Sequence, residues 1–196
     1  KVSSHNFKKI QQIGTVTKIE STLLPGIDLL IGGSPCQSFS FAGKRNGMST
    51  TCDIEVTSLE QYLELKNEEF EFKGQSYLFW EYVRILKEVK PKYFLLENVL
   101  MSSKWADIIS EVLGVQPIMI NSSILSGQVR KRLYWTNIPN VTMPKTKDIV
   151  FNDIKCNQYH ESLVIDRKYK ATLKPDTDMK QNKSYRLGGY MKQGQG

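Results

Sequence analysis

Four short apolar runs, each bounded by polar or turn-forming residues, divide the chain. They cover residues 27–31, 92–99, 117–121 and 132–137. Short, mainly apolar runs of this length are typical of strands buried on both faces, as in a sheet with helices on either side. The pattern therefore predicts four strands of an α/β sheet.

Helical periodicity fills the interval between the first two strands. Over 76–88, apolar residues recur at steps of three and four: Leu78, Phe79, Tyr82, Val83 and Leu86. Glu81, Arg84 and Lys87 lie between them and are expected to face away from the core. This segment is predicted to form an amphipathic helix.

A second helix is predicted over 102–113. Ser102 or Ser103 is a suitable N-cap, and Gly114 is expected to end the helix. Strand, helix, strand, helix, strand is the order of an α/β fold.

Two polar stretches interrupt this order. The first, over about 43–74, is partly acidic and follows the first strand, where open α/β sheets often carry functional loops. The second begins near Pro139 and is lysine-rich and weakly periodic. We expect one domain over 1–138, with a loop insertion at 49–74, and a separate region over 139–196.

Composition bears on four properties: the kind of partner, membrane insertion, secretion and metal binding. Lysine and arginine number 27 against 20 acidic residues, a formal net charge of +7, which suits a polyanionic partner but also plain solubility. There is no apolar run of about 18 residues for a membrane span, and no secretory signal is recognisable. Three cysteines and two histidines show neither a disulfide framework nor metal-ligand spacing, so a reduced, cytoplasmic environment and no metal are expected.

Candidate chemistry lies where the first two strands end. Cys36 follows the first strand on a turn that contains Pro35, and Glu97 closes the second strand. In a parallel sheet both residues would emerge at the same edge, where α/β proteins bind ligands. Taken alone, Cys36 is also compatible with a small buried residue, and Glu97 with a solvated carboxylate.

A basic pair follows in the sequence. Arg130 and Arg132 are two residues apart, so on a strand they would point to the same face. They could hold a phosphate or orient the carboxylate of Glu97, or they could form an ordinary basic patch.

Three segments, in this order, resemble motifs of the DNA cytosine-C5 methyltransferases: Pro35-Cys36-Gln37, Glu97-Asn98-Val99 and Gln128-x-Arg130-x-Arg132. The similarity extends over 32–43, and Leu78-Phe79-x-Glu81 is similar to a further block of the family. The match covers about residues 10 to 138. It implies a partial Rossmann-like class I methyltransferase sheet with helices on both faces, followed by part of a target-recognition region.

The resemblance also implies an activity. Members transfer a methyl group from S-adenosylmethionine to C5 of a cytosine flipped out of double-stranded DNA. Cys36 would add to C6 of the ring, Glu97 would bind its N3 edge, and Arg130 and Arg132 would position it. Asn98 would hold the loop and strand ends in register. A bacterial or phage enzyme of a restriction-modification type, associated with the nucleoid, is implied.

The resemblance assigns binding residues as well. Those expected near the cofactor are Thr15, Pro35, Leu78 and Asn98. Those expected on DNA are Gln37, Ser38, Ser40 and Gln128.

The sequence departs from the family at both ends. The glycine-rich turn and ribose-binding acid that open the cofactor pocket are not found before the first strand, and Thr15 stands where an aspartate is usual. The late arginine motif and final helix are not found either. We therefore expect a fragment that is inactive or nearly so alone, and that self-associates or needs a partner chain to complete the pocket.

Alternatives stay open at this point. A catalytically dead DNA-binding or regulatory module would also lack the cofactor pocket. A redox or thioester cysteine on another α/β fold would need a nearby histidine or second cysteine. RNA is open as a substrate, because relatives that act on transfer RNA share these motifs.

Overall fold

The computed structural model describes residues 2–24, 26–36, 48–154, 172–175 and 185–188. They fall into two compact units: 1–121 with 131–143, and 122–130 with 144–196. The helices are α1 Val2–Asn6, α2 Leu59–Asn67, α3 Leu78–Val89, α4 Ser103–Leu113 and α5 Phe151–Ile154. The strands are β1 Leu29–Gly32, β2 Tyr93–Val99, β3 Ile118–Asn121, β4 Lys131–Thr136, β5 Thr172–Pro175 and β6 Tyr185–Gly188.

All four predicted strands join one sheet in the order β1-β2-β4-β3. β1 and β2 are parallel, whereas β4 runs antiparallel to both of its neighbours. The sheet is therefore mixed, because the connection from β3 to β4 carries no helix that would bring the chain back for a parallel pairing. The α/β class expected from the sequence is confirmed, but the sheet is mixed where a parallel one was expected.

Both predicted helices, α3 and α4, are confirmed with ends that differ by one or two residues. α4 follows the N-cap Ser102 and ends at Gly114, whose φ of 69° is the left-handed conformation that glycine adopts without strain. The cap at Ser102 is backbone only, since its side chain makes no capping hydrogen bond.

The segment expected to be a loop insertion is partly helical, which corrects the sequence interpretation. Helix α2 begins after Ser58, whose Oγ accepts a hydrogen bond from the backbone N–H of Gln61 at 3.1 Å. Isolated bridges from Ser49 to Glu55 and from Thr50 to Phe72 close the segment. Its buried apolar residues Val56, Leu59, Tyr62 and Leu65 join the main core together with the preceding Met48. These residues are dispersed among acidic ones, which concealed the helix.

One face of the sheet carries the core. On β2 the buried residues Phe94, Leu96 and Asn98 alternate with half-buried ones, and Leu133 and Trp135 of β4 pair beside them. Helices α3 and α4 cover this face: Trp135 Nε1 donates to Ser110 Oγ of α4 at 2.9 Å.

The opposite face is more open among the residues that the structure describes. Leu29 and Ile31 of β1 are 42% and 64% exposed. The expected helical covering is thus seen on one face only within these ranges.

Two 3₁₀ turns, Val16–Lys18 and Ser21–Leu23, precede β1 and contact α3. The second unit contains a 3₁₀ turn at Ser122–Ile124, helix α5 and the antiparallel pair β5–β6. In the described ranges, no helix has the length and apolar character needed to cross a membrane.

Candidate active site

The parallel register of β1 and β2 brings two candidate segments to one sheet edge. Gly32, the last residue of β1, lies beside Leu96. Glu97 and Asn98 of β2 are therefore level with the segment that leaves β1 toward Cys36, as the sequence predicts. Cys36 is a free, half-buried thiol.

Asn98 ties the end of β2 to the segment beyond β1. Its Nδ2 donates to Ser34 Oγ at 2.9 Å and to Ser34 O at 3.4 Å, and its Oδ1 accepts from the Val99 N–H at 2.8 Å. The side chain is only 1% exposed, so these bonds satisfy an amide that would otherwise be costly to bury. Beyond the last paired residues of β1 and β2, side-chain hydrogen bonds therefore hold the two segments together.

Ser76 makes a second such contact. This residue is fully buried, and its Oγ donates to the carbonyl oxygen of Pro35 at 3.0 Å. The apolar periodicity over 76–88 places Ser76 only at the start of a helix. No local signal could have revealed the contact, because the two residues are 41 positions apart.

Glu97 and Arg132 form an ion pair on the face opposite the core. Arg132 Nε lies 2.9 Å from Glu97 Oε1. Arg132 pairs with Val99, two residues beyond Glu97, and this diagonal places both side chains on one face. The other carboxylate oxygen, Oε2, lies 3.5 Å from where a Cβ on Gly33 would stand. Of the roles left open for Arg132, the structure shows contact with the carboxylate.

The residues expected near the cofactor lie on separate elements. Thr15 is exposed, and its hydroxyl is 3.1 Å from that of Thr17. Leu78 is half-buried at the first turn of α3. It comes two residues after Ser76, whose contact with Pro35 links this helix start to the turn before Cys36.

The family follows from a comparison with known families. The chain matches the model of C-5 cytosine-specific DNA methylase over residues 1–62 and 64–186. The chain belongs to this family. The match spans the Cys36 turn, the end of β2 and strand β4.

The individual relatives that the chain matches are bacterial and phage enzymes. Orphan methyltransferase M.SPRI of Bacillus phage SPR is 40% identical over 95 residues, which cover 48% of this chain and 16% of the relative. Type II methyltransferase M.NlaIV of Neisseria lactamica is 38% identical over 98 residues, covering 50% and 18%. Type II methyltransferase M.HhaI of Haemophilus parahaemolyticus is 26% identical over 207 residues, covering 93% and 55%. The chain thus spans only part of each relative.

Arg130 lies immediately before strand β4, which begins at Lys131 and carries Arg132. Its carbonyl accepts from the Ser122 N–H at 3.1 Å, and the carbonyl of Gln128 accepts from Ser122 Oγ at 2.8 Å. Both residues belong to the turn of 122–130 within the second unit.

Glu81 was expected to face solvent, and this expectation is wrong. The side chain is fully buried and accepts hydrogen bonds from Tyr62 Oη at 2.6 Å, Lys66 Nζ at 2.5 Å and Arg84 Nε at 2.8 Å. Burial raises the pKa of Glu81, but these three donors outweigh it and leave the pKa below the usual 4.5. The periodicity of α3 could not show this, because helix α2 supplies two of the donors.

The same cluster reaches the segment of Thr15. Arg84 Nη2 donates to Val16 O at 3.0 Å, and Lys66 Nζ lies 3.4 Å from Thr17 O. Two backbone carbonyls of the 3₁₀ turn are thereby held by cations that also hold Glu81.

Three DNA-contact candidates, Gln37, Ser38 and Ser40, lie outside the described residues. Within the described ranges, no group of three or more histidine, cysteine, aspartate or glutamate side chains is arranged to hold a metal ion.

Proposed function

We propose that this chain supplies the nucleophile half of a cytosine-C5 methyltransferase active site that acts on double-stranded DNA. The observation that carries the proposal is the sheet edge where the anchored turn before Cys36 meets the Glu97–Arg132 pair. Family membership supports it, because the matched region includes all three groups.

The proposed chemistry begins at Cys36. Its thiolate adds to C6 of cytosine, the C5=C6 double bond opens, and C5 becomes nucleophilic. C5 then takes up an electrophile, a base removes the original C5 hydrogen as a proton, and the C6–S bond breaks. The thiolate is regenerated and the ring regains its double bond.

Glu97 would act on the opposite edge of the ring. Negative charge that develops on addition at C6 is relieved by proton transfer to N3, which a carboxyl group in hydrogen-bond reach can mediate. Arg132 binds Oε1 and leaves Oε2 directed toward Gly33. We assign Arg132 the orientation of this carboxylate, and Arg130 stays a candidate for positioning the ring.

The DNA partner follows from the same chemistry. C6 is shielded within a duplex, so the target cytosine must leave the base stack. The net charge of +7 suits a phosphate backbone. Gln37, Ser38, Ser40 and Gln128 remain the proposed contacts.

S-adenosylmethionine would supply the electrophilic methyl group. The described residues fit it in part: Pro35 and Leu78 lie on segments joined by the Ser76 hydrogen bond, and Thr15 lies on a turn held by Arg84. Asn98 uses its amide on Ser34 and Val99, which favours its role of holding the loop. Thr15 carries no charge that could interact with the adenine group of S-adenosylmethionine, so we expect weak binding of this cofactor.

The test uses a reaction of the nucleophile half that requires no methyl donor. Once Cys36 has added to C6, C5 can exchange its hydrogen with water. Duplex DNA that contains [5-³H]cytosine should therefore release tritium when the chain is added. Cys36→Ser should abolish release, whereas Cys52→Ser, which alters an exposed thiol in the 49–74 segment, should leave it unchanged.

Glu97→Gln should slow the release by about 10²-fold or more, the range of general acid–base contributions. The proposal fails if the wild-type chain releases no tritium, or if release persists in the Cys36→Ser variant. DNA binding without release would favour the DNA-binding module instead.

A further inference from the structure

The nucleophile turn, residues 33–36, is held in place by side-chain hydrogen bonds rather than by strand pairing in the sheet. β1 ends at Gly32, and Cys36 lies four residues further on. Of the intervening carbonyls, Ser34 O accepts from Asn98 Nδ2 and Pro35 O accepts from Ser76 Oγ. Two successive peptide units before Cys36 therefore depend on these side chains for their orientation.

The Ser76 contact acts on the peptide unit that carries the nucleophile. The carbonyl of Pro35 and the N–H of Cys36 lie in one plane, so fixing the oxygen fixes the direction in which the Cα of Cys36 leaves. The ring of Pro35 already restricts its φ, and ψ is the remaining soft torsion. A hydrogen bond to the carbonyl oxygen restrains that torsion.

The position of Ser76 is itself well determined. Its carbonyl accepts the N–H of Phe79 at 3.1 Å as α3 begins, and the next residue, Tyr77, stacks on Phe72 with ring centroids 4.6 Å apart. Lys73 N–H donates to Ser49 O at 2.8 Å, which closes the 49–74 segment directly before Ser76. The segment is thus built to place Ser76 as well as to fill the core.

We infer that Ser76 is a positioning residue for Cys36, and that the 49–74 segment serves the active site by holding Ser76 under the nucleophile turn. This inference rests on the proposed function for its effect on the reaction. Its structural part, the ordering of the turn, can be measured without DNA.

The experiment compares two buried serines in a Cys52→Ser, Cys156→Ser background, which leaves Cys36 as the one thiol. Ser76→Ala removes the donor to Pro35 O. Ser110→Ala is the control for loss of a buried serine hydroxyl, because Ser110 Oγ donates to the carbonyl of Ala106 at 2.7 Å, accepts from Trp135 Nε1 at 2.9 Å and is nearly as buried. Ser76→Thr, which keeps a hydroxyl, is the second variant.

Three readouts are needed. Ser76→Ala should slow tritium release from [5-³H]cytosine DNA by about tenfold or more, since small misplacements of a reacting group are costly. Alkylation of Cys36 by iodoacetamide, which follows thiolate fraction and exposure, should change by no more than about twofold. Amide deuteration over 29–36 should rise. Ser110→Ala should leave all three unchanged, and Ser76→Thr should retain release within about threefold of wild type.

Distinct results would overturn the inference. The inference is wrong if Ser76→Ala leaves tritium release unchanged or leaves deuteration over 29–36 unchanged. It is also wrong if alkylation of Cys36 falls in Ser76→Ala as much as tritium release does. A folded Ser76→Thr chain that has lost release would also overturn it. If the wild-type chain releases no tritium, the proposed function fails, and the deuteration comparison still decides whether Ser76 orders the turn.

Discussion

Two adjacent glycines at the end of β1 face different neighbours. A Cβ on Gly32 would stand 2.5 Å from Cδ2 of Tyr82, a buried ring that cannot move freely. A Cβ on Gly33 would be in ordinary contact with the Glu97 carboxylate at 3.5 Å. Gly32 therefore serves the packing of α3 against the sheet, whereas Gly33 borders the candidate site.

We predict that Gly32→Ala lowers the free energy of unfolding by about 1–3 kcal/mol, the cost of forcing extra volume into a packed core. Gly33→Ala should change it by less than about 0.5 kcal/mol, as expected away from such overlap. Urea denaturation followed by tryptophan fluorescence measures both. Equal effects at the two glycines would contradict the prediction.

The buried carboxylate of Glu81 predicts a pH dependence. Its pKa in the folded chain lies below the usual 4.5 because Tyr62, Lys66 and Arg84 stabilise the ionised form against the cost of burial. A lowered pKa adds stability that is present above about pH 4.5 and is lost as the pH falls through the folded value. The free energy of unfolding should therefore decline below pH 4.5.

Glu81→Gln should cost about 2–3 kcal/mol at pH 7, since it removes the counter-charge of Lys66 and leaves Arg84 with only the more exposed Glu88. In this variant the free energy of unfolding should also decrease less steeply below pH 4.5 than in the wild-type chain. Glu88→Gln removes the more exposed partner of Arg84 and should cost less than about 1 kcal/mol. Urea titrations at several pH values test this. A Glu81→Gln chain that keeps the wild-type pH dependence would rule out Glu81 as its source.

At the scale of elements, helices α2 and α4 both follow a serine N-cap residue, but only one of the two serines caps its helix through the side chain. Ser58 Oγ accepts the Gln61 N–H at the start of α2, whereas Ser102 before α4 makes no side-chain capping bond. Since α2 carries Tyr62 and Lys66, its start also affects the cluster around Glu81.

Ser58→Ala should accordingly lower the free energy of unfolding by about 1 kcal/mol, the usual cost of a lost N-cap. Ser102→Ala should change it by only a few tenths of a kcal/mol, because no side-chain bond is lost. Thermal unfolding monitored by circular dichroism compares the two variants. An equal loss in both would show that the Ser58 hydrogen bond contributes nothing specific.

At the scale of the whole molecule, β1 is an edge strand of the four-stranded sheet among the described residues, and its Leu29 and Ile31 are exposed. An apolar edge strand is a template for association with another chain. We predict that the 196-residue chain self-associates, with an average mass in sedimentation velocity that rises with concentration. Ile31→Lys should suppress this rise, whereas Ile54→Lys, at an exposed position in the 49–74 segment, should not. A monomer at all concentrations would contradict the prediction.

The sequence by itself determined the parts that depend on local order. Runs of apolar residues predicted the four strands, the three- and four-residue spacing predicted α3, and the N-cap serine and Gly114 predicted α4, since each of these signals lies within a few neighbouring residues. The motif order around Cys36, Glu97 and Arg132 identified the family for the same reason: each motif is contiguous in the chain.

Tertiary structure alone decided the remaining features. Only strand pairing inserts β4 between β2 and β3, and only the approach of α2 buries Glu81 under Tyr62 and Lys66. Likewise, Ser76 meets Pro35 across 41 residues. Each of these contacts joins segments whose separation in the chain carries no periodic signal, so its energy appears only after the chain has folded.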